Sequence, residues 1–424
     1  MNHDILKQVI YDQQNIIRSA HIIPRDYTFE PGLRYVVVGL RRTGKSTLLY
    51  KRVQELVDEG VSWDQIIYIN FEDERLTEFQ LQDFNDIVRT AAELSDLKHY
   101  YFFDEIQNIK GWERFARRLA DQLQQVYITG SNAEMLSSEM IARLGGRYMI
   151  TEVMPYSFAE YLDALGIPHT GSALYAADSL GQIQAASGDY LHEGGLPETV
   201  GLQNSRLYRE IIYKKVLESD IALRHQIRKV DSLRTLIKKV AETITSEVTT
   251  ATLRKAVIAS GKKLTADAAA DYLQYAEDAY LLFRTQNYIA HFAERESTPR
   301  WYFGDNGILE LFLYKKDSLL LENMVALALL RRFGNEHIFY FKSSKTGIDI
   351  DFYIPEASWA IQACFMLDGN SYERETKSLI KLAQDSHLSP ERSTIVTFAD
   401  SERTLEIDGM EIEVLPLWKF LLEG

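Results

Sequence analysis

The residues best suited to chemistry lie in one short segment, which reads Gly39-Leu40-Arg41-Arg42-Thr43-Gly44-Lys45-Ser46-Thr47. The spacing of its two glycines and the Lys-Ser pair is the Walker A pattern of phosphate-binding loops. Gly39 and Gly44 leave the backbone free to curl, so that successive N–H groups face phosphate oxygens. Lys45 is suited to neutralise the β- and γ-phosphates of a nucleotide, and the Ser46 hydroxyl is suited to bind Mg²⁺. We therefore expect the nucleotide to contact Gly39, Arg42, Thr43, Gly44, Lys45, Ser46 and Thr47.

A second segment carries paired acids. The apolar run from Tyr100 to Phe103 is followed at once by Asp104 and Glu105. A buried strand of this kind would deliver Asp104 to Mg²⁺ and place Glu105 to orient or deprotonate an attacking water. The alternative is that both acids cap the next helix. A nucleotide switch needs only the first acid, so the pair favours hydrolysis.

An arginine before a later strand is a third candidate. Arg147 lies between Gly146 and the apolar run Tyr148–Ile150. It could stabilise transition-state charge in its own subunit or from a neighbouring one. It could equally form a structural ion pair. We count Arg147 as a candidate catalytic residue with Glu105 and Lys45.

Short apolar runs alternate with helical patterns around these motifs. Tyr35–Val38 leads into the phosphate loop, and helical periodicity follows it through Leu48, Val53 and Leu56. Further strand-like runs occupy residues 66–71 and 126–129. Strands that alternate with helices over residues 31–151 predict a mostly parallel α/β sheet covered on both faces.

These motifs resemble those of an AAA-type P-loop ATPase family, common in bacteria and archaea, with a C-terminal domain of unknown function. The resemblance is carried by GLRRTGKSTLL, YINFEDERL, YYFFDEIQ, VYITGSN and LGGRYMITEVMPYSFAEYL. It continues through the turn at Gly194–Glu198 and reaches Asp351, so it covers most of the chain. It implies that the chain binds ATP with Mg²⁺. It also implies a polar sensor of the γ-phosphate at Ser131 or Asn132, for which a turn with a helix N-cap is the alternative.

The resemblance also implies an architecture. We expect a P-loop core in residues 1–165, a helical lid in 166–225, a winged-helix-like segment in 226–300 and an α+β domain in 301–424 that resembles the restriction-endonuclease fold. Helical patterns over Ser232–Ile244, Thr249–Val257 and Thr265–Tyr280 fit the winged-helix-like segment, with a wing starting at Leu281.

Charge leaves two partner classes open for this segment. Residues 205–263 hold fourteen Lys and Arg against six Asp and Glu, the kind of basic island that contacts the phosphates of duplex DNA. The expected recognition helix, however, opens with Thr265-Ala266-Asp267-Ala268-Ala269-Ala270-Asp271, which offers methyl groups and carboxylates to the bases. Protein contact is the alternative, and sequence-specific DNA recognition is not expected.

The C-terminal part contains an incomplete nuclease pattern. Glu322 and Asp351 match its first two acids, but the last element reads Gln362-Ala363-Cys364 in place of an acid and a lysine. Metal-dependent phosphodiester hydrolysis needs the carboxylates and a nearby cationic or basic group. We therefore expect a degenerate nuclease fold that serves as a recognition or docking module for a protein partner.

Composition sets the outer limits. The chain has 424 residues, of which 46% are hydrophobic and 25% charged, as in ordinary globular proteins. Its net charge is −14, so bulk charge does not favour nucleic-acid binding. One cysteine, no signal-like start and no long apolar run lead us to expect a soluble, cytoplasmic protein without membrane contact.

Taken together, these patterns predict an ATPase that couples its nucleotide state to a partner through its C-terminal half. A slow ATP-dependent switch acting on a protein partner is the alternative. An ATP-gated nuclease is the least favoured hypothesis, because it would need the missing lysine to come from elsewhere.

Overall fold

The computed structural model describes residues 3–130, 138–384 and 388–423. The chain forms two compact units, Met1–Met154 and Pro155–Gly424. The first ends eleven residues before the expected core boundary at residue 165. The finer division into lid, winged-helix-like segment and C-terminal domain stays a prediction.

The first unit is built around a parallel sheet. Its strands are β1 (Tyr35–Val38), β2 (Ile66–Asn70), β3 (Tyr100–Asp104), β4 (Gln125–Thr129) and β5 (Met149–Glu152). Its helices are α1 (His3–Ser19), α2 (Lys45–Asp58), α3 (Phe84–Leu94), α4 (Trp112–Asp121) and α5 (Ser138–Leu144). Within the described residues the strand order is β2-β3-β4-β1-β5, and every pairing is parallel. The predicted parallel α/β core is confirmed.

Aromatic side chains hold the central strands together. Tyr68, Phe102, Tyr127 and Tyr35 are register partners on successive strands of the order β2-β3-β4-β1. Their rings stack, with centroids 5.9 Å apart for Tyr68 and Phe102, and 4.7 Å for Phe102 and Tyr127. All four are buried, which explains why these strands read as continuous apolar runs.

The second unit begins with helices. They are α6 (Phe158–Leu165), α7 (Ala177–Glu193), α8 (Ser205–Lys215), α9 (Val230–Glu242), α10 (Thr250–Ala259) and α11 (Ala266–Asp278). Later helices are α12 (Phe292–Ser297), α13 (Asn306–Glu310), α14 (Asp317–Phe333), α15 (Gly369–Ala383) and α16 (Leu417–Leu422). A π-helix, Val216–Leu223, continues α8.

A mixed sheet forms the rest of this unit. Its strands are β6 (Leu282–Asn287), β7 (Arg300–Phe303), β8 (Phe339–Ser343), β9 (Ile348–Ile354), β10 (Trp359–Cys364), β11 (Arg392–Thr397), β12 (Arg403–Ile407) and β13 (Met410–Pro416). Among the described residues the order is β12-β13-β11-β10-β9-β8-β6-β7. The hairpin of β6 and β7 follows α9, α10 and α11 in the chain, and it joins the sheet where β6 pairs with β8.

The turn at Gly194–Glu198 is anchored inside the second unit. The N–H of Gly195 donates to the Asp305 carboxylate at 2.9 Å, and its carbonyl accepts from Tyr156 N–H at 2.6 Å. A Cβ at position 195 would lie 2.3 Å from the Tyr156 carbonyl oxygen. Glycine is required here because backbone approaches backbone too closely for a side chain.

No helix in residues 3–130, 138–384 and 388–423 is long and apolar enough to cross a membrane.

Candidate active site

The phosphate loop lies between β1 and α2, as the motif predicts. Gly44 has φ 89° immediately before α2 begins at Lys45, a conformation that favours glycine. Gly39 has φ 139°, and a Cβ there would lie 2.2 Å from the Val153 carbonyl oxygen. Both glycines of the motif are therefore required by backbone geometry.

Lys45 is buried against its own loop. Its Nζ donates to the carbonyl oxygens of Gly39 and Leu40, each at 3.0 Å, and the residue is 5% exposed. These carbonyls satisfy the buried ammonium group. An arriving phosphate oxygen would replace them as the stronger, charged acceptor.

The other loop residues differ in how far they are buried. Thr43 is buried, and its hydroxyl donates to the Leu40 carbonyl at 2.9 Å, which closes the loop on itself. Arg42 is exposed and has φ 68°. Thr47 is half-buried in the first turn of α2. Thr43 shapes the loop, and nucleotide contact by Arg42, Thr43 and Thr47 stays a prediction.

Asp104 is buried at the carboxyl end of β3 and accepts hydrogen bonds from two hydroxyl groups, those of Tyr68 at 3.0 Å and of Thr129. The Ser46 hydroxyl of the phosphate loop lies close enough to lower the pKa of the same carboxyl group. Burial raises the pKa of Asp104 and the neighbouring charge of Glu105 adds to the rise, while the three hydroxyls oppose it. The carboxylate and the Ser46 hydroxyl thus lie together, as the sequence predicts.

Glu105 has an unusual backbone that turns the chain out of the strand. Its φ is 53° and ψ 40°, in the left-handed region that non-glycine residues seldom adopt. Its N–H donates to the Thr129 hydroxyl at 2.9 Å. The side-chain amide of Gln107 donates to its carboxylate. Glu105 does not cap a regular α-helix, because only a short 3₁₀ turn over Ile106–Asn108 follows.

The strand order explains why these groups meet. In a parallel sheet the carboxyl ends of all strands lie at one edge, and β4 lies between β3 and β1. Asp104 ends β3, Thr129 ends β4, and the phosphate loop follows β1. The sequence analysis missed Thr129 and Tyr68. Thr129 could have been identified from the sequence, because it is a polar residue at the end of an apolar strand. Tyr68 could not, because its contact with Asp104 depends on how β2 is aligned with β3.

Ser131 and Asn132, the predicted γ-phosphate sensors, lie outside the described residues.

Arg147 lies at the other edge of the sheet from the phosphate loop. It precedes β5, and Met149 at the start of β5 pairs with Tyr35 at the start of β1. The loop follows the far end of β1. The Arg147 guanidinium pairs with Asp121 at 2.7 Å and donates to the Gly145 carbonyl at 3.0 Å. Arg147 therefore lies away from the phosphate loop of its own chain. A catalytic role toward the nucleotide of a neighbouring subunit stays a prediction.

The residues near the loop suit a magnesium ion. Mg²⁺ prefers oxygen ligands and is commonly bound through one or two carboxylates together with substrate phosphates. The Ser46 hydroxyl and the Asp104 carboxylate both supply oxygen atoms and lie near each other. These two residues would hold the ion beside the phosphate chain.

A second acidic cluster lies beside the C-terminal sheet and is partly buried. Glu322 in α14 and Asp351 in β9 are close enough for each charge to act on the other, and burial first, then Asp351, raises the pKa of Glu322 well above its usual range. Burial likewise raises the pKa of Glu375 in α15 to about 7. The two acids of the incomplete nuclease pattern are therefore neighbours, with Glu375 as a third that the sequence analysis missed.

Arginine and glutamine complete this cluster. Arg300 of β7 is buried and pairs with Asp349 at 2.5 Å and with Asp351 at 3.4 Å. Gln362 accepts from the Asp351 N–H at 2.8 Å and donates to the Asp349 carbonyl at 2.9 Å. Its amide thus bridges β9 and β10 where their backbone pairing ends at Ile361. The likeness to the restriction-endonuclease fold stays a prediction.

Comparison with known proteins agrees with this core. The AAA domain family matches residues 33–162, and a domain of unknown function, DUF8612, matches residues 185–318. An uncharacterized protein of Methanocaldococcus jannaschii is 30% identical over 433 residues, which cover 99% of this chain and 95% of the relative. An uncharacterized protein of Haemophilus influenzae is 27% identical over 397 residues, which cover 90% and 93%.

The sheet and its phosphate loop define the class, a P-loop protein with an AAA domain. Within that class, the chain belongs to the archaeal and bacterial family of AAA-type P-loop ATPases that includes the M. jannaschii protein.

Solved structures give more distant likenesses. The Walker-type ATPase of Pyrococcus abyssi is 13% identical with a TM-score of 0.39, over 72% of this chain and 95% of that one. The Orc1 protein of Aeropyrum pernix, solved in complex with DNA, is 12% identical with a TM-score of 0.31, over 76% and 92%.

Proposed function

We propose that this chain is a Mg²⁺-dependent ATPase that couples its nucleotide state to partner binding through its second unit. The observation that carries the proposal is the position of the Ser46 hydroxyl beside the buried Asp104 carboxylate, close enough to lower the pKa of that acid. It brings the two halves of the nucleotide site to one edge of the sheet. Glu105, the next residue, supplies the second acid that hydrolysis needs.

Each residue has a chemical role in this proposal. Lys45 exchanges the Gly39 and Leu40 carbonyls for phosphate oxygens, and the loop N–H groups bind the remaining phosphate charge. Glu105 accepts a proton from the water whose oxygen attacks the γ-phosphorus, while the bond from that phosphorus to the β,γ-bridging oxygen breaks and ADP leaves with this oxygen. Mg²⁺, when bound through Ser46 and Asp104, neutralises charge on the phosphate oxygens.

Phosphate release from ATP tests the proposal directly. We expect turnover by the unmodified chain, a loss of ATP binding in Lys45→Ala, and retained binding with at least a hundredfold lower kcat in Glu105→Gln. The two variants separate binding from chemistry. Equal ATP affinity in Lys45→Ala and the parent chain would contradict the proposal, as would undiminished turnover in Glu105→Gln.

A slow nucleotide switch is the second candidate, and one contact favours it. The Gln107 amide donates to the Glu105 carboxylate, so the proposed base is already engaged. The carboxylate oxygen that accepts this hydrogen bond is not available to accept a proton from water. Hydrolysis would then wait until this contact opens.

Coupling to a partner is assigned to the three-helix segment and its hairpin. Helices α9, α10 and α11 followed by β6 and β7 have the order of a winged helix, and an isolated bridge between Glu247 and Arg300 supports that order. The exposed face of α11 carries Asp267, Ala270 and Asp271. Such a face disfavours base recognition.

Part of the basic island is already neutralised. Arg234 pairs with Asp231 at 2.9 Å and with Glu218 at 3.3 Å, and Lys239 pairs with Glu242 at 2.6 Å. Lys255 and Lys263 are exposed. We therefore favour a protein partner, with weak backbone contact to duplex DNA as the competing outcome.

A salt series distinguishes these partners. Fluorescence anisotropy with labelled duplex DNA, in ATP and in ADP, should show at most weak binding that disappears between 50 and about 200 mM salt. Tight binding at the higher salt, weakened by Lys255→Glu with Lys263→Glu, would instead assign the segment to DNA.

A further inference from the structure

A buried arginine outside the motif grips the phosphate loop. Arg25 lies in the segment between α1 and β1 and is 8% exposed. Its Nη1 donates to the Thr43 carbonyl at 2.7 Å, and its Nη2 donates to the Met154 carbonyl at 2.8 Å. One guanidinium thus joins the phosphate loop to the chain just after β5.

The contact to Thr43 also determines the direction of the next N–H. The peptide bond between Thr43 and Gly44 is trans, since the described residues contain no cis peptide bond. In a planar trans peptide the C=O and the following N–H point in opposite directions. By holding the Thr43 carbonyl on one side, Arg25 fixes the Gly44 N–H on the other.

That N–H belongs to the Walker A motif. Successive N–H groups of such a loop bind phosphate oxygens, and the glycine before the lysine is one of the donors. Gly44 has φ 89° and no Cβ to restrict rotation of this peptide plane, so another contact must hold the plane in place. Arg25 supplies a charged donor for that purpose, and charge-assisted hydrogen bonds are about twice as strong as neutral ones.

The far end of the guanidinium is also fixed. The guanidinium carbon of Arg25 lies 5.1 Å from the centre of the Tyr27 ring, and the Tyr27 hydroxyl accepts from the Met154 N–H at 3.4 Å. The Met154 carbonyl occupies the second nitrogen. Arg25 is therefore anchored on the sheet and does not simply follow the loop.

We propose that Arg25 is a positioning residue that presets the Thr43–Gly44 peptide for phosphate binding. It touches neither the nucleotide nor the reacting atoms, and it acts through a backbone carbonyl. The proposal rests on the proposed ATP binding and adds a residue outside the Walker A motif to the binding machinery.

Binding of ATP and of inorganic tripolyphosphate tests the proposal. Arg25→Met keeps a long apolar stem and removes both donors. We expect it to weaken both ligands by the same factor, about tenfold, because both use the loop N–H groups. The KM for ATP should rise, and kcat, the rate at saturating ATP, should change little, since Lys45 and Glu105 remain. Arg25→Lys presents one nitrogen where Arg25 uses two. Its affinity for ATP and tripolyphosphate should therefore fall about threefold, to a value between those of the parent chain and Arg25→Met.

A matched control separates positioning from general stability. Arg34 also donates to a backbone carbonyl, that of Gln124 at 2.8 Å, at the amino ends of β1 and β4. Arg34→Met should leave both affinities unchanged. If Arg25→Met does not fold, Arg25→Lys decides alone, and parent-like affinity in that variant overturns the proposal.

The outcomes distinguish two failures. Parent-like affinity in Arg25→Met, or an equal loss in Arg34→Met, overturns the role of Arg25 and leaves the proposed ATPase intact. If the unmodified chain binds neither ATP nor tripolyphosphate, the proposed function itself is wrong, and the role of Arg25 falls with it.

Discussion

The hydroxyl of Thr129, at the end of β4, donates to the carboxylate of Asp104, at the end of β3. The same oxygen accepts the Glu105 N–H at 2.9 Å. One side chain therefore positions the carboxylate of the first acid and the backbone of the second. Because Thr129 lies on the strand between β3 and β1, it fixes both acids relative to the strand that leads into the phosphate loop.

Replacing Thr129 tests this relationship. Thr129→Val keeps the shape and removes the hydroxyl, so Asp104 loses a hydrogen bond that orients its carboxylate and lowers its pKa, and protons then compete more strongly with Mg²⁺ for it. We expect the Mg²⁺ concentration for half-maximal phosphate release to rise about tenfold, the effect of losing a hydrogen bond to a charged group. Thr90→Val is the control, because the buried Thr90 hydroxyl has no hydrogen-bond partner among the residues that the structure describes. An unchanged Mg²⁺ requirement would show that Thr129 does not support Asp104.

Freeing the carboxylate of Glu105 tests the switch hypothesis. Gln107→Leu removes the amide that engages this carboxylate. We expect kcat for ATP to rise about threefold to tenfold, because the carboxylate oxygen that Gln107 engages then becomes available to the attacking water. Single-turnover phosphate release measures the effect. The double variant with Glu105→Gln should show no rise, and an equal rise there would assign the effect to a different group.

The buried Asp305 predicts a pH dependence of stability. Burial raises the pKa of Asp305 from its usual 3.8 to about 6, against the opposing hydrogen bonds from Gly195 and Ile308. The folded state then holds this proton more tightly than the unfolded state does. Its contribution is present below about pH 4 and is lost as pH rises to about 6, by about 3 kcal/mol in all. Urea unfolding across this range should show a flatter curve for Asp305→Asn. Parallel curves would contradict the shift.

Two glycines of the second unit should respond oppositely to alanine. Gly195→Ala places a methyl group 2.3 Å from the Tyr156 carbonyl oxygen, so the backbone must move. We expect a loss of about 2–3 kcal/mol in the free energy of unfolding. Gly181, inside α7, has open space around its Cβ position, and Gly181→Ala should stabilise by about 0.5–1 kcal/mol. Thermal unfolding compares them, and similar shifts would contradict the packing described here.

The sequence predicts those parts of the site that depend on local spacing. The Walker A loop needs its glycines and Lys45 within a few residues, and Asp104 and Glu105 follow an apolar strand directly. Thr129 escapes prediction because its hydrogen bonds cross between strands and depend on their order. Arg25 escapes because its acceptors, Thr43 and Met154, lie 18 and 129 residues along the chain.

The C-terminal half shows the same limit. The helical periodicity anticipates α9, which extends over Val230–Glu242 against the expected Ser232–Ile244. It does not reveal that β6 pairs with β8 through Gln286 and Phe339. Without that pairing, nothing in the sequence brings Arg300 to Asp349 and Asp351. Pairing between strands that are distant in the chain leaves no local pattern in the sequence. The cluster of Arg300, Asp349 and Asp351 depends on such pairing, so residue spacing does not predict it.

The hairpin of β6 and β7 restricts where this protein can be divided. By chain order it closes the three-helix segment, yet its hydrogen bonds make it the outer pair of the C-terminal sheet. A fragment that begins at residue 301 would lack Arg300, the partner of Asp349 and Asp351, and would leave β8 as an open edge prone to aggregation. A C-terminal fragment that keeps this sheet intact must therefore begin before Leu282.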